Sequence, residues 1–175
     1  MARIGIFYGT SSGATLEVAE CIQAELGGEE YARIHDIAGC RPEDLARYPI
    51  LLLGTSTLGC GELQDDWQAF RPDLERMDLS GKQVALFGLG DQADFCQSFV
   101  DGIGTLHRIV VNGGAEVVGY WDAVDQFEFG RSAAVVDGRF VGLVIDEENE
   151  PERTATRVQG WTQQLADELE PASSH

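Results

Sequence analysis

An α/β fold, a doubly wound five-stranded parallel sheet with helices on both faces in three layers, is the architecture this sequence predicts, and three observations predict it. Strand-like and helix-like segments alternate along the whole chain. The two strongest strand segments, ILLLG at Ile50 to Gly54 and VALFG at Val84 to Gly88, are apolar without alternation, as strands buried on both faces are. Three loops rich in glycine, hydroxyl or acidic residues follow the first, third and fourth long strands, and a doubly wound sheet gathers such loops beyond the carboxyl ends of its strands.

The first strand is the apolar run Ile4, Ile6, Phe7, Tyr8, which stops at Gly9. The loop Thr10, Ser11, Ser12, Gly13, Ala14, Thr15 then feeds LEVAECIQAEL, a helix by pattern. Strand, tight turn and helix N-terminus make an anion site, because the first helical N–H groups lack partners and the positive end of the helix dipole faces the loop. The triphosphate loop G-x-x-x-x-G-K-[ST] has another glycine spacing and a lysine, where Ala14 stands here. Hydroxyls and bare amides without a cation suit a single phosphomonoester held by neutral hydrogen bonds. An ordinary helix cap uses the same residue types.

A short strand follows around Tyr31 to Ile34, then a polar connection with Pro42, then ILLLG. A helix pattern begins near Glu62 and is interrupted around Pro72. After VALFG, the residues Phe99, Ile103, Leu106 and Val110 share one helical face. Strands are expected at Glu116 to Gly119 and Phe140 to Ile145, and a last helix carries Val158, Trp161, Leu165 and Leu169 on one stripe. Between Tyr120 and Arg139 the repeat lapses into WDAVDQFEFGRSAAVVDG, an insertion expected to split the last strand. The expectation is one domain over 1–170 and a frayed tail at 171–175.

Thirty acidic residues against twelve basic ones give a formal charge of −18. That balance repels nucleic acid and anionic membranes and steers in a partner with a basic patch. Cys21, Cys40, Cys60 and Cys96 show no C-x-x-C spacing, so neither a zinc site nor a disulfide framework is indicated. No apolar run has membrane length, and Met1-Ala2-Arg3 leads straight into a strand, so a soluble cytoplasmic chain is expected.

The second loop reads Thr55-Ser56-Thr57-Leu58-Gly59-Cys60-Gly61-Glu62 and the third Gly88-Leu89-Gly90-Asp91-Gln92-Ala93-Asp94-Phe95-Cys96. Leu58 and Phe95 are apolar residues on loops with no element to bury them. Facing each other beside a phosphate site, they would hold a flat aromatic ligand. Gly88 to Ala93 matches G-x-G-x-x-A, but it lies outside the first βαβ unit, and Asp91 would repel a pyrophosphate.

GTSSGAT, GTSTLGCGEL followed by DDW, FGLGDQ, VVGYW and GRFVGLVIDEEN together resemble the successive motifs of the long-chain flavodoxins over essentially the whole chain. The resemblance implies strand order 2-1-3-4-5, non-covalently bound FMN, no metal, and low-potential one-electron transfer between redox proteins. By position, Thr10, Ser11, Ser12, Gly13, Ala14 and Thr15 would hold the FMN phosphate, and Leu58 and Phe95 would flank the isoalloxazine ring. Thr55, Ser56, Thr57, Gly59, Cys60, Gly61, Leu89, Gly90, Asp91, Ser98 and Asp146 complete the implied cofactor contacts. In the family a peptide of the second loop turns over on one-electron reduction, so that its carbonyl accepts a hydrogen bond from the flavin N5–H. That peptide would be Gly59–Cys60, and the bond is worth on the order of 1 kcal/mol. The acidic residues Glu62, Asp65, Asp66, Asp91, Asp94 and Asp146 would disfavour the second electron.

Many members have tryptophan where Leu58 stands and Gly-Tyr where Asp94-Phe95 stands, so the ring-flanking pair here is a weaker stacking and quenching pair. The implied partners are redox proteins with basic docking patches, of the ferredoxin–NADP reductase kind, met by a monomer. Thr57-Leu58-Gly59 is shared with nitrogen-fixation-associated flavodoxins and points to a nitrogenase reductase, but the extra segment those proteins carry after Gly-Glu-Leu is absent. An FMN-dependent NAD(P)H:quinone-type reductase on the same fold is the enzyme alternative. A phosphoryl-accepting receiver domain would need acidic residues where Tyr8-Gly9 and Gly54-Thr55 stand.

Overall fold

A computed structural model describes residues 2–10, 13–58, 61–94 and 97–169. The tail expected at 171–175 lies outside them. The sheet is built from β1 (Ile4–Gly9), β2 (Ala32–Asp36), β3 (Ile50–Leu58), a short β4 (Glu62–Leu63), β5 (Gln83–Leu89), β6 (Glu116–Val117) and β9 (Leu143–Ile145), and a separate hairpin joins β7 (Val135–Val136) to β8 (Arg139–Phe140). The helices are α1 (Ala14–Glu25), α2 (Pro42–Ala46), α3 (Asp65–Arg76), α4 (Asp101–Asn112) and α5 (Thr154–Glu168). The parallel order is β2-β1-β3-β5, and the fifth position is shared. β6 pairs with the lower half of β5 at Gln83 and Val84, and β9 with its upper half at Phe87 to Leu89. The insertion therefore splits the last strand, as expected, and the order is 2-1-3-4-5.

Period-two alternation sorts the strand side chains into two cores. Phe7, Leu51, Leu53, Val84 and Leu86 face α3 and α4, while Ile6, Leu52, Ala85 and Phe87 face α1 and α5. Trp67 fills the first core and Trp161 the second, each wholly buried. Their indole N–H groups donate to Gly54 O at 2.7 Å and Gly119 O at 2.9 Å, so each ring is satisfied as well as packed.

Several elements differ from expectation for local reasons. Glu62 does not start a helix: Gly61, at φ 101°, turns the chain so that Glu62 and Leu63 pair antiparallel with Leu58 and Thr57. Leu58 is accordingly the last residue of β3, not a loop residue. α3 begins at Asp65, where the Gln64 side chain accepts from the Asp66 and Trp67 N–H groups, and it runs on through Pro72. The connection at Pro42 is a short helix with the proline in its first turn, tied by Arg41 N–H to the Asp44 carboxylate at 2.8 Å. Phe99 precedes α4, because Val100 takes a left-handed conformation at φ 49° and starts the helix after it. It is buried instead against Phe127, Phe129 and Phe140. Glu116 to Gly119 shortens to Glu116–Val117, and Phe140 to Ile145 to Leu143–Ile145, with Phe140 drawn into the hairpin. No helix among the described residues is long and apolar enough to cross a membrane.

Candidate functional site

Register brings the loops together. Gly9 pairs with Thr55, Thr55 with Gly88, Ser56 with Leu89, and Leu89 with Ile145, so β1, β5 and β9 finish in one row across β3, which runs on to Leu58. The first and third loops and the segment after β9 leave the sheet from that row, and the second loop beyond it.

The first loop is shaped by two glycines and a hydroxyl. A Cβ at Gly9 would run into the Gln64 amide and the Trp67 ring, so β1 can pass under the start of α3 only as glycine. Thr10 Oγ1 accepts the Gly13 N–H at 2.8 Å, and Gly13 turns into α1 at φ 90°. Among the described residues no side chain caps α1, and a Cβ at Gly13 would meet none of them within 4 Å. Among the described residues the first-turn N–H groups of α1 thus have no capping side chain, with Ala14 half-buried and Thr15 buried there. Ser11 and Ser12 lie outside the described residues.

Thr55, Ser56 and Thr57, expected in the second loop, are the upper end of β3, where Thr55 is buried and its hydroxyl donates to Ser56 O at 2.9 Å. Thr57 Oγ1 accepts the Gly102 N–H at 2.8 Å, which ties this strand end to the start of α4. Ser56 Oγ is buried and has no partner among the described residues. Such a hydroxyl, in a row with a helix start that no described side chain caps, suits a polar ligand. Gly59 and Cys60 lie outside the described residues, as do the side chain of Leu58, Phe95 and Cys96, so the expected ring-flanking pair and the expected peptide turn fall beyond what the structure describes.

The third loop is the most heavily tied. Leu89 is buried and Gly90 N–H donates to Ile145 O at 3.0 Å. The Asp91 carboxylate accepts from Ala93 N–H at 3.0 Å, Asp94 N–H at 2.9 Å and Asn149 Nδ2 at 2.9 Å. Desolvation pushes its pKa up, but these bonds outweigh it and hold the carboxyl below the usual range. Ser98 is buried just before α4, and its carbonyl accepts the Asp101 N–H at 3.1 Å. Asp146 is not on the rim: it is wholly buried, and its carboxylate accepts from the Gln92 N–H and Nε2 and from the Asn149 N–H and Nδ2. Glu62, Asp65 and Asp94 are exposed, and Asp66 and Asp91 half-exposed, so these five of the six expected acidic residues reach solvent.

Sequence reasoning missed Gln64, Gln92 and Asn149. Gln64 caps α3, and Gln92 and Asn149 are the donors that meet the buried Asp146. A signal was present: each stands beside an acidic residue at a strand or helix end, in LQDDW, GDQ and DEEN.

The flavodoxin family model matches residues 6–161. Flavodoxin 1 of Escherichia coli K12 is 47% identical over 170 residues, 97% of this chain and 96% of that one. The flavodoxin of Synechococcus elongatus is 43% identical over 169 residues, 97% of this chain and 99% of that one. A crystal structure of Fusobacterium nucleatum flavodoxin bound to flavin mononucleotide superposes with a TM-score of 0.91 at 32% identity, covering 97% of this chain and all of that one. With a matching family model across most of its length, relatives near half identity and the insertion that splits its last strand, this chain belongs to the flavodoxin family, in its long-chain form.

Proposed function

We propose that this chain is an electron carrier that holds FMN non-covalently and passes single electrons between redox proteins. The observation that carries this reading is the row of strand ends: after β1 comes an α1 N-terminus with no capping side chain among the described residues, on β3 a Ser56 hydroxyl with no partner among them, and after β5 a rigidly tied Gly90–Asp91 turn. Thr10, Gly13, Ala14 and Thr15, with Ser11 and Ser12 between them in sequence, would bind the phosphate with neutral donors and the helix dipole. Thr57, Gly90 and Asp91 would orient the ring edge. FMN supplies the redox chemistry when bound. The chain's own contribution is electrostatic: an acidic rim of Glu62, Asp65, Asp66, Asp91 and Asp94 disfavours added negative charge. The same rim, in a chain of charge −18, steers a partner with a basic face. The reading extends to a partner of the ferredoxin–NADP reductase kind and to a cytoplasmic setting.

The test is a visible spectrum of the FMN-loaded protein during stepwise anaerobic reduction. Two resolved one-electron steps, with a long-wavelength band at half reduction, are expected. A single two-electron step together with steady-state turnover of NAD(P)H and a quinone would replace this reading with the reductase, and failure to bind FMN would remove both.

A further inference from the structure

Gln92 uses every hydrogen-bonding group of its side chain, and each reaches a different part of the chain. Nε2 donates to Asp146 Oδ2 at 2.8 Å and to Glu150 Oε1 at 3.0 Å, and Oε1 accepts the Glu128 N–H at 2.7 Å. Its own N–H also donates to Asp146 Oδ2, at 3.1 Å. One residue of the third loop therefore bridges the buried carboxylate after β9, the segment leading to α5, and the insertion.

A second bridge runs beside it. Arg157 is buried on α5; its Nη2 donates to Glu150 Oε1 at 3.0 Å, and its guanidinium lies over the Phe127 ring at 4.2 Å. Phe127 packs in turn on Trp121 and Phe140. The insertion is thus fastened to the third loop at two adjacent residues: at Glu128 through Gln92, and at Phe127 through Arg157 and Glu150. Burial works to raise the Glu150 pKa, but the bonds from Gln92 and Arg157 and the charges of Arg157 and Arg153 hold it below the usual range, as a shared acceptor requires.

We propose that Gln92 is a positioning residue through which the insertion at 120–139 sets the geometry of the third loop, and so the affinity and potential of the cofactor whose ring that loop would hold. The proposal rests on the FMN reading above. Gln92 need not touch the cofactor: its neighbours Gly90 and Asp91 would, and their path is fixed by Gly90 N–H on Ile145 O and by Gln92 on Asp146. Without the Gln92 side chain the buried Asp146 carboxylate loses Nε2, one of its four donors, and the Glu128 N–H loses its acceptor, so the turn that carries Asp91 must shift to replace them.

The experiment is a double-mutant cycle of Gln92→Leu and Phe127→Ala, read in three ways. FMN dissociation constants are expected to rise at least tenfold for Gln92→Leu. The double variant should be weaker by much less than the product of the single effects, because Gln92→Leu already severs the path that Phe127 reaches through Arg157 and Glu150. The separation of the two one-electron midpoint potentials should change in Gln92→Leu, which a loss of fold stability alone would not produce. In the FMN-free chain, exchange of the Glu128 amide hydrogen should quicken selectively, a readout that stands whether or not FMN is the ligand. Should Gln92→Leu not fold, Gln92→Glu keeps the acceptor for Glu128 and loses the donors to Asp146 and Glu150. Its defect should be relieved on acidification, as the new carboxyl regains a proton to donate. Effects that multiply freely, FMN affinity and potentials within twofold and a few millivolts of the parent, or unchanged Glu128 exchange would overturn the proposal.

Discussion

Two glycines of the first loop are required for different reasons, and substitution separates them. Gly13 sits at φ 90° with none of the described residues within 4 Å of where a Cβ would go, so its requirement is conformational. Gly13→Ala should cost about 1–2 kcal/mol of backbone strain, and Gly13→Asn less, since asparagine tolerates left-handed geometry. Gly9 lies in β1, where its requirement is steric: a methyl group would displace the Gln64 amide that caps α3 and the Trp67 indole that donates to Gly54 O. Gly9→Ala combines overpacking, about 1–3 kcal/mol, with loss of a cap, about 1 kcal/mol. Urea unfolding of the FMN-free chain should rank Gly9→Ala below Gly13→Ala and Gly13→Ala below Gly13→Asn. A Gly9→Ala variant as stable as the parent would mean that Gln64 and Trp67 move aside without loss, and the reading of Gly9 as a close-approach glycine would fail.

Elements were legible in the sequence where periodicity or charge decided them, and illegible where packing did. The two-sided apolar runs of β3 and β5 placed the sheet centre, and the lapse after Tyr120 placed the split of the last strand between β6 and β9. The β7–β8 hairpin was not legible: its Asp137-Gly138 turn takes positive φ at both residues (55° and 80°), as a two-residue hairpin turn requires, but VVDG passes for part of the insertion. The candidate site was legible as three loops but not as a network, because the partners of Asp146 come from positions 92 and 149, which no local pattern links. Pro72 is the clearest failure of a local rule. Proline removes one helical hydrogen bond and crowds the preceding turn, roughly 3 kcal/mol against alanine in a helix interior. α3 nevertheless continues, because Trp67, Phe70 and Leu74 are buried on one stripe that the helix must complete, and Gln64 secures its start. Exposed Pro72→Ala should therefore restore a bond without disturbing the core, raising stability by about 1–3 kcal/mol and Tm by several degrees. Differential scanning calorimetry of the FMN-free chain decides it: an unchanged or lowered Tm would mean that α3 is bent around the proline and that its packing depends on the bend.

At the scale of the whole molecule, the charge of −18 and two half-buried histidines act against each other. Burial lowers the pKa of His107, whose ring bonds the Tyr120 hydroxyl at 2.8 Å. It does the same to His35, which stacks on Phe7 at 4.8 Å and bonds the Tyr48 hydroxyl at 2.8 Å; Asp44 pulls that value up, and Arg33 and Arg47 push it down. With folded values below 6.5, the unfolded chain takes up protons first as the pH falls. The stability these rings contribute is therefore present above pH 6.5 and is lost below it, down to the folded values, by at most about 1.4 kcal/mol per pH unit for each ring. The acidic field of the folded chain opposes this loss, since negative charge favours a protonated imidazole, and salt screens that field over about 10 Å at 0.1 M. Added salt should have two effects on urea unfolding of the FMN-free chain. It should raise stability at pH 7.5 by relieving self-repulsion among thirty acidic residues, and it should steepen the fall between pH 7 and pH 5.5 by uncovering the histidines. His35→Gln with His107→Gln should flatten that fall. If the parent's fall were as shallow in salt as without it, or persisted in the double variant, it would belong to the carboxylates rather than to the two rings.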